Sequence, residues 1–450
     1  MNRIASPPAS SSTAALEPSI APFLVAPHRI DADAAKVVKR LVRAGHVAYL
    51  VGGCVRDLLL NRPPKDFDVA TSARPNEVRN LFRNCRIIGR RFRLAHVMFG
   101  PNKLVEVATF RKTPDGAELA DDWPPPAAAG RGRDDDDEAD DEAVPAEEDT
   151  GAQALDSMLA HRPLRRPNRP GEDLLIRHDN VFGTPPEDAA RRDFTINALF
   201  YDLERREVID YVGGLADIDR RLIRTIGAAD VRFREDPVRI LRAIKFAARL
   251  DLGLESEVYD AIVNHRDDLL RAARPRLLEE ILRLLRGGAA RRSFWLMWET
   301  GVLSVVLPEL AAYLDDDAVG RERTWRRLGV IDEAVAVGRV PPDSVLFSAA
   351  LLDPAEEYLQ GSRDLVGAVT EFFEEMQERL AMPRRMYDRV RQISVVQKRI
   401  RQGKLGSMTR RDWYHEAADL FRLDDDARAD HTATLGDPGG EFGAPSLESP

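Results

Sequence analysis

The stretch Leu50-Val51-Gly52-Gly53-Cys54-Val55-Arg56-Asp57, followed by Lys65-Asp66-Phe67-Asp68-Val69, constrains this chain more than any other part of it. Ala48-Tyr49-Leu50-Val51 is apolar, with aromatic and β-branched content, and reads as a short strand. It runs into Gly52-Gly53, where the backbone can take φ > 0 and approach a ligand with no Cβ in the way. Residues 55–60 read as a helical turn whose free N–H groups point toward whatever lies over the glycines. Asp66 and Asp68 flank Phe67 in what reads as a second strand. Side chains at i and i+2 of a strand share a face, so both carboxylates project together and Phe67 goes to the other side. Two adjacent carboxylates repel unless a cation sits between them, and oxygen ligands of this kind suit Mg²⁺ or Mn²⁺. A Gly-Gly turn or an Asp-x-Asp alone is ordinary; together, in a strand–turn–helix–strand context, they point to a site that handles phosphate and metal.

Four further blocks follow in order: Ile87-Ile88-Gly89-Arg90-Arg91-Phe92-Arg93-Leu94-Ala95-His96-Val97, Arg191-Arg192-Asp193-Phe194-Thr195-Ile196-Asn197-Ala198-Leu199, Asp210-Tyr211-Val212-Gly213-Gly214-Leu215-Ala216-Asp217, and Phe233-Arg234-Glu235-Asp236-Pro237-Val238-Arg239-Ile240-Leu241-Arg242-Ala243. With the opening motif they resemble the class II nucleotidyltransferases, the family of bacterial poly(A) polymerases and CCA-adding tRNA nucleotidyltransferases. The resemblance covers about residues 30 to 310 and continues more weakly to about residue 420. The Gly-Arg-Arg-Phe-x-x-x-His block looks like the signature of the poly(A) polymerase branch.

The resemblance implies an α+β chain: a polymerase-beta-like nucleotidyltransferase head with a small mixed sheet, then an all-helical neck, body and tail. It implies template-independent transfer of AMP from ATP to RNA 3′ ends with release of pyrophosphate, in mRNA processing and RNA turnover. CCA addition to tRNA is the alternative within the family, and a catalytically silent RNA-binding protein is the alternative from another class. In-line attack of a hydroxyl on an α-phosphorus calls for two metal ions, one acidifying the hydroxyl and one holding the triphosphate. Asp66 and Asp68 are the expected ligands. Glu106, a charge inside the apolar run Leu104-Val105-Glu106-Val107, suits a third carboxylate, and the resemblance places Asp193 in the catalytic set; either fits as the third acid. Arg191, Arg192 and Asn197 are expected to grip triphosphate and ribose, since guanidinium forks match phosphate oxygens. Gly52, Gly53 and Arg56 are expected near the phosphates, with Asp57 either orienting Arg56 or supporting the metals. Asp236 and Arg239, at i and i+3 on one helix face, are the implied readers of the base's Watson–Crick edge. Asp236 also reads as an N-cap with Pro237 at the first helical position. Val238, Leu241, Ile244 and Ala248 form the apolar stripe, leaving Arg239 and Arg242 on the surface.

The net charge of −9 looks wrong for an RNA-binding protein until it is mapped. Residues 134–149 hold eleven acids and no bases, and residues 424–450 carry a net −6. With the +1 of the first thirty residues also set aside, +7 remains on the rest of the chain. Ten Lys or Arg against the single acid Asp388 lie within residues 384–411, a density suited to tracking a nucleic-acid backbone. The reading is therefore a Pro/Ser/Ala-rich disordered leader to residue 28, a head over 29–225, a neck over 226–290, a body and basic tail over 291–423, and an acidic disordered C-terminus from 424. The head is interrupted by a low-complexity acidic insertion over 113–172, either a solvated tether or an electrostatic mimic of RNA. No apolar run is long enough for a transmembrane helix, and no signal-peptide pattern is present. Two cysteines, Cys54 and Cys85, argue for a reducing compartment, so a cytoplasmic monomer acting on ATP and RNA 3′ ends is expected.

Overall fold

Helix α1 (Ala32–Arg43) shows how the head is assembled. Ala34, Val37, Val38 and Leu41 recur at helical spacing and are buried, and Asp31 caps the helix by accepting from the N–H groups of Asp33 and Ala34. That face packs on an eight-stranded sheet. A computed structural model describes residues 17–89, 93–100, 103–112, 181–316 and 318–429. The strands are β1 (Ser19–Pro22), β2 (Ala48–Val51), β3 (Asp68–Thr71), β4 (Cys85–Ile88), β5 (Leu94–Gly100), β6 (Lys103–Thr109), β9 (Leu199–Asp202) and β10 (Glu207–Asp210). A separate pair, β7 (Arg111–Lys112) and β8 (Val181–Phe182), closes the two ends of the insertion against each other. The sheet order is β1-β10-β9-β2-β3-β6-β5-β4, antiparallel except for β3 with β6, so the sheet is mixed as expected.

Alternation along the strands divides the two faces. Leu50, Val69, Val97 and Val107 join the main core under α1, whereas Val51, Ala70, Phe200 and Ile209 form a second cluster on the other face with Phe110. Asp68, two residues before Ala70, therefore projects on the second face. Between strands run the short helices α2 (Gly53–Leu59), α3 (Pro75–Leu81), α4 (Pro185–Ala190) and α5 (Gly214–Asp219).

Beyond the sheet, α6 (Ala229–Glu235), α7 (Val238–Leu250), α8 (Ser256–His265) and α9 (Arg274–Leu285) form the neck, and helices continue through Tyr414–Ala429. The stripe Val238, Leu241, Ile244 and Ala248 is buried as its spacing predicts. The insertion expected over 113–172 lies outside the described residues.

Several boundaries differ from the sequence reading. Ser19–Pro22, assigned to the disordered leader, is the edge strand paired with β10, and Phe23 packs edge-on against Tyr201. Asp66 is not in the strand: β3 begins at Asp68, so the pair is a loop residue and a strand residue rather than i and i+2 of one strand. Asp236 is not the N-cap of α7. It closes α6, α7 begins at Val238, and the Asp236 carboxylate turns instead to Arg276. Arg239 and Arg242 are not on the surface; Arg239 is buried and Arg242 half-buried. The last helix runs to Ala429 and buries Asp424, so the acidic C-terminal segment does not start at 424.

Candidate active site

Gly52 sits at φ +76°, ψ −127°, and its N–H donates to the Leu199 carbonyl at 3.0 Å. The backbone conformation there requires glycine, and a Cβ would stand 3.2 Å from Arg192 Nη1 and 3.6 Å from the Asn197 carbonyl. Gly53 opens α2, which carries Arg56 beneath the turn. Arg56 is buried; its Nε and Nη2 donate to Asp57 Oδ1 at 2.8 and 2.6 Å, and Nη1 donates to Asn197 Oδ1 at 2.5 Å. The guanidinium also lies 5.1 Å from the centroid of the Phe246 ring. Burial pulls its pKa down while Asp57 opposes the shift. Of the two roles open to Asp57, the geometry favours orienting Arg56.

Asp68 stands at the open end of β3. The parallel register Val69↔Val107 puts Asp68 beside Glu106 on the face away from α1, and Glu106 is paired across to His96, with Nε2 to Oε1 at 3.6 Å. Although Asp68 is exposed as a residue, its carboxyl is pushed up to about 6, first by burial, then by the Glu106 and Asp66 charges, with Arg192 pulling the other way. Phe67 turns back to pack on the core, leaving Asp66 exposed. Among the described residues no three His, Cys, Asp or Glu side chains close around a common point. The donor set is nevertheless oxygen-only and mutually repulsive, which suits a hard divalent cation at Asp68, Glu106 and Asp66.

Arg191 and Arg192 are locked by a residue the sequence reading missed. Asp188, on α4, accepts from Arg191 Nε at 3.0 Å, from Arg192 Nη2 at 2.9 Å and from the Arg111 N–H at 3.1 Å. Burial would raise its pKa, but Arg192 and Arg191 outweigh that and hold the carboxyl below its ordinary value. Its spacing of i, i+3 and i+4 to the two arginines was the available signal.

Asp193 does not stand with Asp68. Its Oδ1 accepts from the Phe194 N–H at 2.8 Å and Asn197 Nδ2 at 3.2 Å, and its Oδ2 accepts from Arg242 Nε at 2.8 Å and Nη2 at 2.5 Å. Burial opposes ionisation, yet Arg242 overrides it and holds the carboxyl at about 2. With both oxygens engaged, Asp193 is less suited than Glu106 to be the third acid, and Asn197 joins it to Arg56.

Asp193, Asp236, Arg239 and Arg242 line one cavity of about 490 Å³, walled on the far side by Arg276 and Glu279 of α9. Asp236 and Arg239 share this cavity without pairing: Arg276 Nη2 donates to Asp236 at 2.8 Å, whereas Arg239 Nη1 donates to Glu235 at 2.9 Å. Arg90, Arg91 and Phe92 of the Gly89 block lie outside the described residues. In the tail, Arg389 is paired with Asp412 and Arg391 with Asp388, while Lys398, Arg399, Lys404, Arg410 and Arg411 are exposed. Part of the basic density is thus spent on internal pairs. Among the described residues no helix is long and apolar enough to cross a membrane.

The mixed-sheet head followed by helices is that of a nucleotidyltransferase. The Poly A polymerase head domain model matches residues 48–124 and 132–224, and the model for the probable RNA and SrmB-binding site of polymerase A matches residues 251–314. Poly(A) polymerase I of Salmonella typhimurium is 35% identical over 408 residues, covering 88% of this chain and 78% of that one. The CCA-adding enzyme of Lactobacillus delbrueckii subsp. bulgaricus is 34% identical over 303 residues, covering 67% and 61%. The chain belongs to the poly(A) polymerase family and is an enzyme, a polynucleotide adenylyltransferase. Its fold matches the crystal structure of Bacillus stearothermophilus CCA-adding enzyme in complex with CTP, at a TM-score of 0.52, 23% identity and coverage of 89% and 78%.

Proposed function

We propose that this enzyme adds AMP from ATP to RNA 3′ ends and releases pyrophosphate, serving mRNA processing and RNA turnover as a cytoplasmic monomer. The observation that carries the reading is the Asp68–Glu106 pair facing Arg192, beside a turn only glycine can form. Asp68, Asp66 and Glu106 would hold Mg²⁺ or Mn²⁺, which supplies the acidified hydroxyl and charge neutralisation that phosphoryl transfer needs. Asp188 keeps Arg191 and Arg192 at fixed angles for the triphosphate. Gly52 lets the phosphates come close to the backbone, and buried Arg56 braces the turn from below. Asp236 accepts and Arg239 donates toward the base edge, a pattern that adenine's amino group and N1 satisfy.

Cytosine's amino group and N3 satisfy the same pattern, and the 34% identity to a CCA-adding enzyme keeps that alternative in play. The test is incorporation of each of four labelled nucleotides with Mg²⁺ onto an unstructured RNA oligomer and onto a tRNA lacking its terminal CCA. Long A-only tails on the oligomer are expected. Addition of C-C-A and then a stop, on the tRNA alone, would overturn the reading in favour of CCA addition. No incorporation on either RNA would leave a silent RNA-binding protein. Asp68→Asn is expected to abolish turnover with the fold intact; a variant that retains activity would remove Asp68 from the metal site.

A further inference from the structure

Arg242 contributes neither to the apolar face of α7 nor to the acid–arginine pair that the base reading uses; its guanidinium instead joins neck to head. Its fork closes on Asp193 Oδ2 through Nε and Nη2 at 2.8 and 2.5 Å, and its third nitrogen lies 4.0 Å from Glu280 on α9. Glu280 is itself buried and fixed by Lys245 at 2.6 Å. Arg242 is thus held from the α9 side and grips the head on the other.

What it grips is the segment that carries the phosphate-facing arginines. Asp193 directly follows Arg191 and Arg192, and Arg232 of α6 donates to the backbone carbonyls of both, at 2.9 and 2.5 Å. The segment is therefore clasped twice by the neck, once at the carbonyls and once at the Asp193 carboxylate. From Asp193 the chain of contacts runs through Asn197 to Arg56 under the glycine turn. On α7, Arg242 stands three residues beyond Arg239, so the two side chains leave one face of one helix.

Resting on the proposed function, we infer that Arg242 is a positioning residue that, through Asp193, ties the base-reading helix to the phosphate-binding arginines, so that the choice of nucleobase is expressed in turnover and not in affinity alone. A base that does not seat on α7 displaces the helix, and Arg242 passes that displacement to Asp193 and the Arg191-Arg192 segment. Misplacement by about 1 Å at that distance from the chemistry costs on the order of a hundredfold in rate. Two N–H groups converging on one carboxylate oxygen fix angle as well as distance, which the transmission needs; a lysine would keep the charge and lose the angle.

The experiment compares the full-length wild-type enzyme with Arg242→Lys, Asp193→Asn and the double variant on one RNA oligomer. ATP and CTP are varied separately, and melting curves run in parallel. Arg242→Lys is expected to melt within a few degrees of wild type, with kcat for ATP lowered on the order of ten- to a hundredfold, KM for RNA unchanged and the kcat/KM preference for ATP over CTP reduced several-fold. Asp193→Asn, which preserves shape, should follow the same pattern, and the double variant should be no worse than the worse single one. The inference is overturned by Arg242→Lys turning over at the wild-type rate, by single effects that multiply in the double variant, or by activity falling only with the folded fraction while the preference stays intact. A wild-type enzyme that adds C-C-A would unseat the proposed reaction and still leave the clamp to be judged by kcat and preference, so the two failures are distinguishable.

Discussion

At the scale of single residues, the same type of side chain is put to opposite uses within one domain. Asp68 is crowded, and burial together with the Glu106 and Asp66 charges raises its carboxyl to about 6. Asp193 is saturated and held at about 2. In Asp193 the folded state keeps its charge at pH values where an unfolded chain already takes up a proton. The stabilisation is therefore complete above about pH 4 and is lost as pH falls toward 2, and the shift is worth on the order of 2 kcal/mol. Asp193→Asn should accordingly lower the urea midpoint at pH 7, and the gap between variant and wild type should shrink as pH is lowered from 4 to 2. A gap independent of pH would mean that the Arg242 pair contributes nothing through its charge. The identity of these residues was legible in their motifs. Their roles were not, because the partner that decides each role lies far along the chain: Arg242 is 49 residues from Asp193.

At the scale of elements, periodicity served well for α7, whose apolar stripe was readable before any contact was known. Ends were harder to read. Asp236-Pro237 has the composition of a helix start, but Arg276, forty residues on, draws the carboxylate away and the preceding helix claims the residue. β1 was hidden for a different reason: four residues of an edge strand, with a proline, carry almost no alternating pattern, and only the free edge of β10 makes them a strand. The α6–α7 corner also shows why the base pair of the motif is incomplete on its own. Glu235, at the end of α6, accepts from both Arg232 and Arg239, at 2.9 Å each. Glu235→Gln should loosen Arg239 inside the cavity and raise KM for ATP about tenfold, the size expected for a charge-assisted hydrogen bond worth about 1.5 kcal/mol. Steady-state kinetics with ATP varied at saturating RNA measures it; an unchanged KM would place Glu235 outside base recognition.

At the scale of the whole molecule, charge set the expected domain limits, and charge misled at one of them. Asp424 opens an acidic run, so composition assigns it to a disordered segment. In the fold it is buried and accepts from Arg327 Nη1 at 2.7 Å. Arg327 is fully buried, and it also donates to Asp353 Oδ2 at 2.5 Å and to the Ala349 carbonyl at 2.7 Å. One arginine thus ties the helices Ala318–Ala336, Asp343–Tyr358 and Tyr414–Ala429 together, and Arg401 adds a contact to Asp424 at 3.4 Å. A buried pair is weak evidence of net stabilisation when both members are present, but removing one member strands the other charge and costs about 3–5 kcal/mol. This converts the misplaced boundary into a measurement. Truncation after Leu423 removes Asp424 and should lower the melting temperature by several degrees and broaden the transition. Truncation after Ala429 keeps the triad and should melt like the full chain. If both truncations melt alike, the last turns of the helix hold nothing that the body needs, and the acidic segment does begin where its charge first appears.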